Sequence, residues 1–222
     1  MNRQHHVIRV LIVDDHALVR EAIAHGLSQY KDIHVVDQAG SGEKCLELMA
    51  LHHPHIVLMD INMDGMGGLE ATRRIVLTHP SARVIVVTMS NSHVYPTRFI
   101  QAGAYGYITK DIALDKIAEA IRFVHKGQRY LSSDVARQLA FSHLQDNNDN
   151  IFDALSEREL QVVLLIVKGT KVLEIAEKLS LSPKTVNSYR YRIFEKLSID
   201  NDVELTILAI KHGLLEIESK QG

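Results

Sequence analysis

The sequence predicts an α/β fold: a doubly wound domain on a five-stranded parallel sheet, followed by a separate all-α domain of four helices. Three observations carry this. Short apolar runs recur at Arg9–Val13, Ile33–Val36, Ile56–Met59, Arg83–Val87 and Tyr105–Ile108. Stretches with helical spacing of apolar residues lie between them, and from Leu155 onward the pattern is helical only. Strands that are apolar throughout, rather than alternating, are buried on both faces, and strands alternating with helices of 10–15 residues make parallel crossover units.

Taken in order, Leu18, Ala22, Ile23 and Leu27 fall on one face of a helix after the first run. Leu114, Ile117, Ile121 and Val124 do the same after the fifth, and Gly127 is placed to close that helix. A short helical stretch covers Ser133 to Ser142. His143 to Ala154 then collects Asn and Asp, loses its apolar period and reads as a linker. Ser156 and Glu159 fit a capping box, with Leu155 and Leu160 placed for a hydrophobic staple. That helix is expected to stop at Gly169. A second runs from Thr170 or Lys171 to about Leu179. Ser182-Pro183 supplies an N-cap and a first-turn proline for the third, and the fourth runs from about Asp202 to His212 before Gly213.

Composition fits a globular protein, with 46% hydrophobic and 23% charged residues. No apolar run approaches the ~20 residues of a membrane span. The polar start, Met1 to His6, lacks a signal-peptide core, so a cytoplasmic location and no membrane partner are expected. The lone Cys45 cannot form an internal disulfide and reads as a small buried residue of a helix. A net charge of −2 does not point to nucleic acid, and acids and bases balance from Ser156 onward. A DNA-binding role must therefore rest on local charge.

In an open parallel sheet, functional groups gather beyond the carboxyl ends of the strands. Asp14 and Asp15 follow the first run, Asp60 ends the third, Thr88 the fourth and Lys110 the fifth. Carboxylates on adjacent strand ends repel one another unless a cation sits among them, and hard oxygen donors suit Mg²⁺. A lysine and a hydroxyl opposite suit a phosphoryl group. The set describes a carboxylate that accepts phosphate, with Asp60 as nucleophile. Asp64, four residues on, lies beyond the strand in a glycine-rich turn and is not the expected acceptor. His52, His53 and His55 match no metal-binding spacing and read as surface residues.

With Asp14, Asp15, Asp60, Thr88, Tyr107 and Lys110 in place, roughly Arg9 to Lys126 resembles a response-regulator receiver domain. The resemblance implies a flavodoxin-like strand order of 2-1-3-4-5. It also implies Mg²⁺ held by Asp15, Asp60 and the backbone carbonyl of Asn62, with Asp14 acting through water. Thr88 and Tyr107 would form the switch, the hydroxyl moving toward the phosphoryl group and the ring filling the space it leaves. Asn62 and Ser90 occupy positions that tune phosphoryl lifetime. Two residues depart from the pattern: Asp64 and Asp111 stand where the family usually has proline.

In the helical part, Ile175, Ala176 and Leu179 make one apolar face, and Val186, Tyr189, Ile193 and Leu197 share one side of the following helix. Lys184, Asn187, Ser188 and Tyr191 fall opposite, flanked by Arg192 and Lys196. Between Lys178 and Lys196 five bases meet the single acid Glu195, which focuses positive charge on one helix. The stretch resembles a LuxR-type helix-turn-helix domain across roughly Leu155 to Leu215. By that resemblance Asn187, Ser188 and Tyr191 would read bases, and Lys184, Thr185 and Arg192 would touch phosphates. Arg190 lies near the buried side. Val203, Ile207 and Ile210 leave the last helix with more apolar surface than its bundle needs, which suits core packing or a dimer contact.

The domains are thus expected at 7–127 (receiver), 128–154 (helical extension and linker) and 155–216 (DNA-binding). The combination resembles the NarL/FixJ class and, within it, the GacA/UvrY/LetA group. This implies a sensor hybrid histidine kinase or its phosphotransfer domain as donor and promoter DNA as ligand. It further implies RNA polymerase as partner, a homodimer when active, and activation of small regulatory RNA genes without independent enzymatic turnover. Two other functions share these features: a Mg²⁺-dependent aspartyl-phosphate phosphatase, and a DNA-binding regulator whose receiver serves only to dimerise.

Overall fold

The computed structural model describes residues 7–61, 63–88, 94–109, 113–144 and 151–214. The chain forms two compact units, with Arg98–Arg137 closing the first and Gln138 onward belonging to the second. No helix among the described residues is long and apolar enough to cross a membrane.

The first unit is built on β1 (Ile8–Val13), β2 (Ile33–Ala39), β3 (Ile56–Met59), β4 (Arg83–Thr88), β5 (Gly106–Thr109) and β6 (Tyr130–Leu131). All neighbours are parallel and the order is β2-β1-β3-β4-β5-β6, the expected arrangement with one short strand added at the β5 edge. The connecting helices are α1 (Ala17–Leu27), α2 (Gly42–His52), α3 (Gly68–Thr78), α4 (Val94–Gln101) and α5 (Leu114–His125), with α6 (Ser133–Leu144) following β6.

Successive side chains of a strand point to opposite faces, and here both faces are covered. Val10 and Ile12 of β1 pack with Ile56 and Leu58 of β3 on the face holding Leu27 of α1 and Ile117, Ile121 and Val124 of α5. Leu11, Val13, Val57 and Met59 pack on the other, against Cys45, Leu48 and Met49 of α2 and Ala71 and Ile75 of α3. This two-sided burial is why the central strands are uninterrupted apolar runs. β2 is an edge strand, so Asp37 and Gln38 are tolerated within it and it extends to Ala39, past the expected end at Val36. A bulge shifts its pairing, with Val10 opposite Val35 but Leu11 opposite Asp37.

The second unit contains a 3-10 turn, Ile151–Ala154, then α7 (Glu157–Val167), α8 (Val172–Lys178), α9 (Pro183–Leu197) and α10 (Asp202–Lys211). At the end of the expected linker, Phe152 is fully buried and sets its ring 6.1 Å from His212. Ser156 accepts from the Glu159 N–H while the Glu159 carboxylate accepts from the Ser156 N–H, a complete capping box. Ser182 caps α9 by accepting from the Thr185 N–H, with Pro183 at the first helical position. The Asn201 side chain accepts from the Val203 and Glu204 N–H groups at the start of α10. Leu160, Val163, Ile175, Ala176, Val186, Ile193, Leu205 and Ala209 form the core of this bundle.

Candidate functional site

The pairing register builds the first site. Val13 lies opposite Met59, so the next residues of the two chains, Asp14 and Asp60, leave the sheet side by side. Each is anchored through its own main chain: the Asp14 N–H donates to the Ala39 carbonyl at 3.1 Å, and the Asp60 N–H donates to the Val13 carbonyl at 2.8 Å. Both carboxylates are buried, while Asp15 is exposed. Asp14, Asp15, His16 and Asp60 each place one ligand atom within 4.8 Å of all the others. Thr88, fully buried, ends β4 opposite Thr109 of β5.

The rim of the site is held by α1 and α2. The His16 ring Nδ1 lies 2.6 Å from Asp15 Oδ1 and 3.4 Å from Asp14 Oδ1, and the His16 N–H donates to Asp14 Oδ1 at 2.8 Å. Arg20 of α1 donates from Nη1 to the Asp14 carbonyl at 2.6 Å. Across the turn after Asp60, the Glu43 carboxylate of α2 accepts from the Met66 N–H at 2.7 Å. Asp64 is exposed and lies outside the carboxylate cluster. Tyr107 of β5 is buried on the face opposite Ile108, its ring edge-on to Phe99 of α4 at 6.2 Å.

On α9, Lys184, Ser188, Tyr191 and Arg192 are exposed, Tyr191 at 74%, and Thr185 and Asn187 are half-buried. Lys184, Ser188 and Tyr191 therefore fall opposite Val186 and Ile193, which are fully buried, and Thr185, Asn187 and Arg192 flank them. The Arg192 guanidinium lies 5.9 Å over the Tyr189 ring. Lys196 is committed elsewhere: its Nζ is 2.7 Å from Glu159 Oε2 and 3.2 Å from the Ala154 carbonyl.

Residues 10–122 match the model of the response regulator receiver domain, and residues 153–209 match that of the bacterial regulatory proteins of the luxR family. Response regulator GacA of Pseudomonas protegens is 53% identical over 95% of this chain and 99% of its own. The chain belongs to the two-component response regulators. Response regulator UvrY of Escherichia coli is 49% identical over 96% of this chain and 98% of its own. Among solved structures, RcsB of Salmonella enterica serovar Typhimurium, bound to promoter rprA in the presence of phosphomimetic BeF3−, superposes with a TM-score of 0.64. It is 26% identical and covers 90% of this chain and 98% of that one. The family is one of regulators rather than enzymes.

In this response regulator the geometry brings Asp14, Asp15 and Asp60 together. Asn62, Ser90, Lys110 and Asp111 lie outside the described residues. His16 and Arg20 join the site without having been expected there. Both follow the acid pair in "DDHALVR", and the signal was the spacing: His16 adjoins the acids, and Arg20 sits one helical turn on, able to reach back to them. Of the histidines of "LHHPH", His53 is exposed, as expected, while His52 and His55 are half-buried. His52 pairs with Asp37 at 2.8 Å, and His55 Nδ1 accepts from the Arg9 N–H at 3.1 Å. His53, with φ of 42°, forms the left-handed cap of α2.

Proposed function

We propose that Asp60 is the phosphoacceptor of a phosphorylation-switched transcription regulator. One observation carries the reading: a buried carboxylate at the carboxyl edge of β3, with two further aspartates within ligand reach of it. An all-oxygen donor set from Asp14, Asp15 and Asp60, with the Asn62 carbonyl as a further donor, fits Mg²⁺. When bound, Mg²⁺ supplies positive charge against the equatorial oxygens of the phosphoryl group. Asp60 attacks phosphorus, and the bond to the phosphohistidine nitrogen of a sensor kinase or its phosphotransfer domain breaks. Lys110 and Thr88 bind the oxygens, and Tyr107 follows the hydroxyl of Thr88 as the switch.

The output assigned to the second unit is promoter DNA binding as a homodimer that engages RNA polymerase in the cytoplasm. Asn187, Ser188 and Tyr191 read bases, and Lys184, Thr185 and Arg192 contact phosphates. The exposure of Lys184, Ser188, Tyr191 and Arg192 on α9 supports this reading, as does the DNA-bound state of the RcsB relative. The GacA and UvrY relatives support the assignment to that group, and activation of small regulatory RNA genes follows it. We place the domains at 7–127, 128–154 and 155–216.

The test is incubation with a small phosphodonor and Mg²⁺, read by intact mass. The expected result is one phosphoryl group per chain, absent in Asp60→Asn and retained in Asp64→Asn. Phosphorylation surviving in Asp60→Asn but lost in Asp64→Asn would overturn the assignment.

A further inference from the structure

The stretch "INMDGMG" between Asp60 and α3 contains no proline and carries glycines at 65 and 67, so its sequence does little to restrain the backbone. Its near half is anchored by apolar side chains, since Ile61 and Met63 are buried. Its far half has no such anchor at Asp64, which is exposed, or at Gly65. What meets the far half is the first turn of α2. Glu43 turns its carboxylate across to the loop, and Oε1 accepts from the Met66 N–H at 2.7 Å. The same carboxylate lies against Gly65, where φ is +69° and an added Cβ would come within 2.9 Å of Oε1. Gly42 lets α2 approach so closely that a Cβ there would sit 2.7 Å from the Met66 carbonyl oxygen. Gly42 and Glu43 thus bracket the Met66 main chain, one at its carbonyl and one at its N–H. The other end of the loop is closed by the Gly68 N–H, which donates to the Ile61 carbonyl at 3.1 Å.

An acid in the first turn of a helix ordinarily serves its own helix, by favouring the positive end of the macrodipole. α2 already has a cap at that end, because Ser41 accepts from the Lys44 N–H at 3.2 Å. Glu43 instead gives its acceptor to the main chain of a different segment. We infer that Glu43 is a positioning residue of the phosphoacceptor site. It clamps the far end of the loop and so limits the orientations open to the peptides between Asp60 and α3. The inference rests on the Mg²⁺ site proposed above, with the Asn62 carbonyl as a donor. It goes beyond that reading by naming a residue outside the carboxylate cluster that holds the donor loop in place.

Two substitutions separate a hydrogen bond from a charge. Glu43→Gln keeps an acceptor for the Met66 N–H and removes the negative charge, whereas Glu43→Ala removes both. Glu43 is exposed, so both variants should fold. Mg²⁺ alone is titrated into the full chain by calorimetry, and exchange of the Met66 amide is followed by NMR without metal. The amide should exchange faster in Glu43→Ala and at the unaltered rate in Glu43→Gln. Mg²⁺ affinity should fall about fivefold in Glu43→Ala and stay within about twofold in Glu43→Gln. A Glu43 that served only α2 would leave both the Met66 exchange and the Mg²⁺ affinity of Glu43→Ala unchanged, and that result would overturn the inference. So would an equal loss of affinity in the two variants, which would assign the effect to charge rather than to the clamp. An unaltered chain that binds no Mg²⁺ would overturn the metal-site reading itself, and this assignment with it.

Discussion

Gly68 stands where the first turn of α3 runs against the main chain of Asp60. A Cβ built there would collide with the Asp60 carbonyl oxygen, and the Gly68 N–H donates to the Ile61 carbonyl at 3.1 Å. Its φ is not in the left-handed region, so the requirement is space alone. Gly68→Ala must push the helix away or move the loop after Asp60, and overpacking of this kind costs ~1–3 kcal/mol. The expected outcome is a lower melting temperature together with slower phosphorylation from a small donor. Cys45 is the opposite case, a residue with no part in the site. Burial pushes its thiol up to about 12, so it should resist a thiol reagent at mild alkaline pH and react only once denaturant opens the first unit. Labelling of the native chain at the rate of a free thiol would contradict this. At this scale Asp14 and Asp60 were legible in the sequence, because acids at the ends of the first and third apolar runs are joined by a hydroxyl and a lysine at the ends of the fourth and fifth. His16 and Arg20 were not, because a histidine and an arginine at the start of a helix are common on any surface.

Among the elements, the central strands could be read in full, while the edge strand β2 was read only to Val36 and the edge strand β6 not at all. β1, β3 and β4 are buried on both faces and show as apolar runs, whereas polar residues interrupt β2 and the two residues of β6 are too few to show any period. α7 was legible through its capping box, but the box does more than cap. Glu159 is almost wholly buried, and besides the Ser156 N–H it holds Lys196 of α9 at 2.7 Å. Burial alone would raise its pKa, but the Lys196 ammonium and the Ser156 groups outweigh that and hold it below the ordinary 4.5. Its ionised form therefore contributes stability that is complete above 4.5 and is lost as pH falls through the lower folded value. Glu159→Gln should be destabilised by ~1–3 kcal/mol at neutral pH. The gap to the unaltered protein should close as acid protonates Glu159, measured by denaturant unfolding across an acid series. A gap that stays constant below pH 4.5 would show that Glu159 acts there by shape rather than charge.

For the whole molecule, the two-part organisation was legible because the strand signal ends before the purely helical pattern begins. The boundary between the parts was less so, since α6 spans the point at which one compact unit gives way to the other and its sequence looks like any short helix. The least legible level was assembly, and α10 shows why. Leu205 and Ala209 are fully buried in the bundle, yet Val203, Ile207 and Ile210 of the same helix are exposed at 68%, 60% and 36%. Sequence spacing showed an excess of apolar residues on this helix without saying which of them the bundle consumes. The structure assigns Leu205 and Ala209 to the core, leaving a stripe at i, i+4 and i+7 that suits the same stripe of a second copy. Two recognition helices brought together in that way would meet successive major grooves about 34–36 Å apart on a two-fold symmetric operator. Because Ile207 is exposed in the single chain, Ile207→Glu should leave its unfolding free energy nearly unchanged, within ~0.5 kcal/mol. Two carboxylates facing each other across the apolar stripe would nonetheless oppose pairing. Phosphodonor-treated Ile207→Glu should therefore remain folded, lose the dimer formed by its second unit in sedimentation, and bind a two-half-site duplex no better than a single half-site. Retention of cooperative binding to both half-sites would place the dimer contact elsewhere.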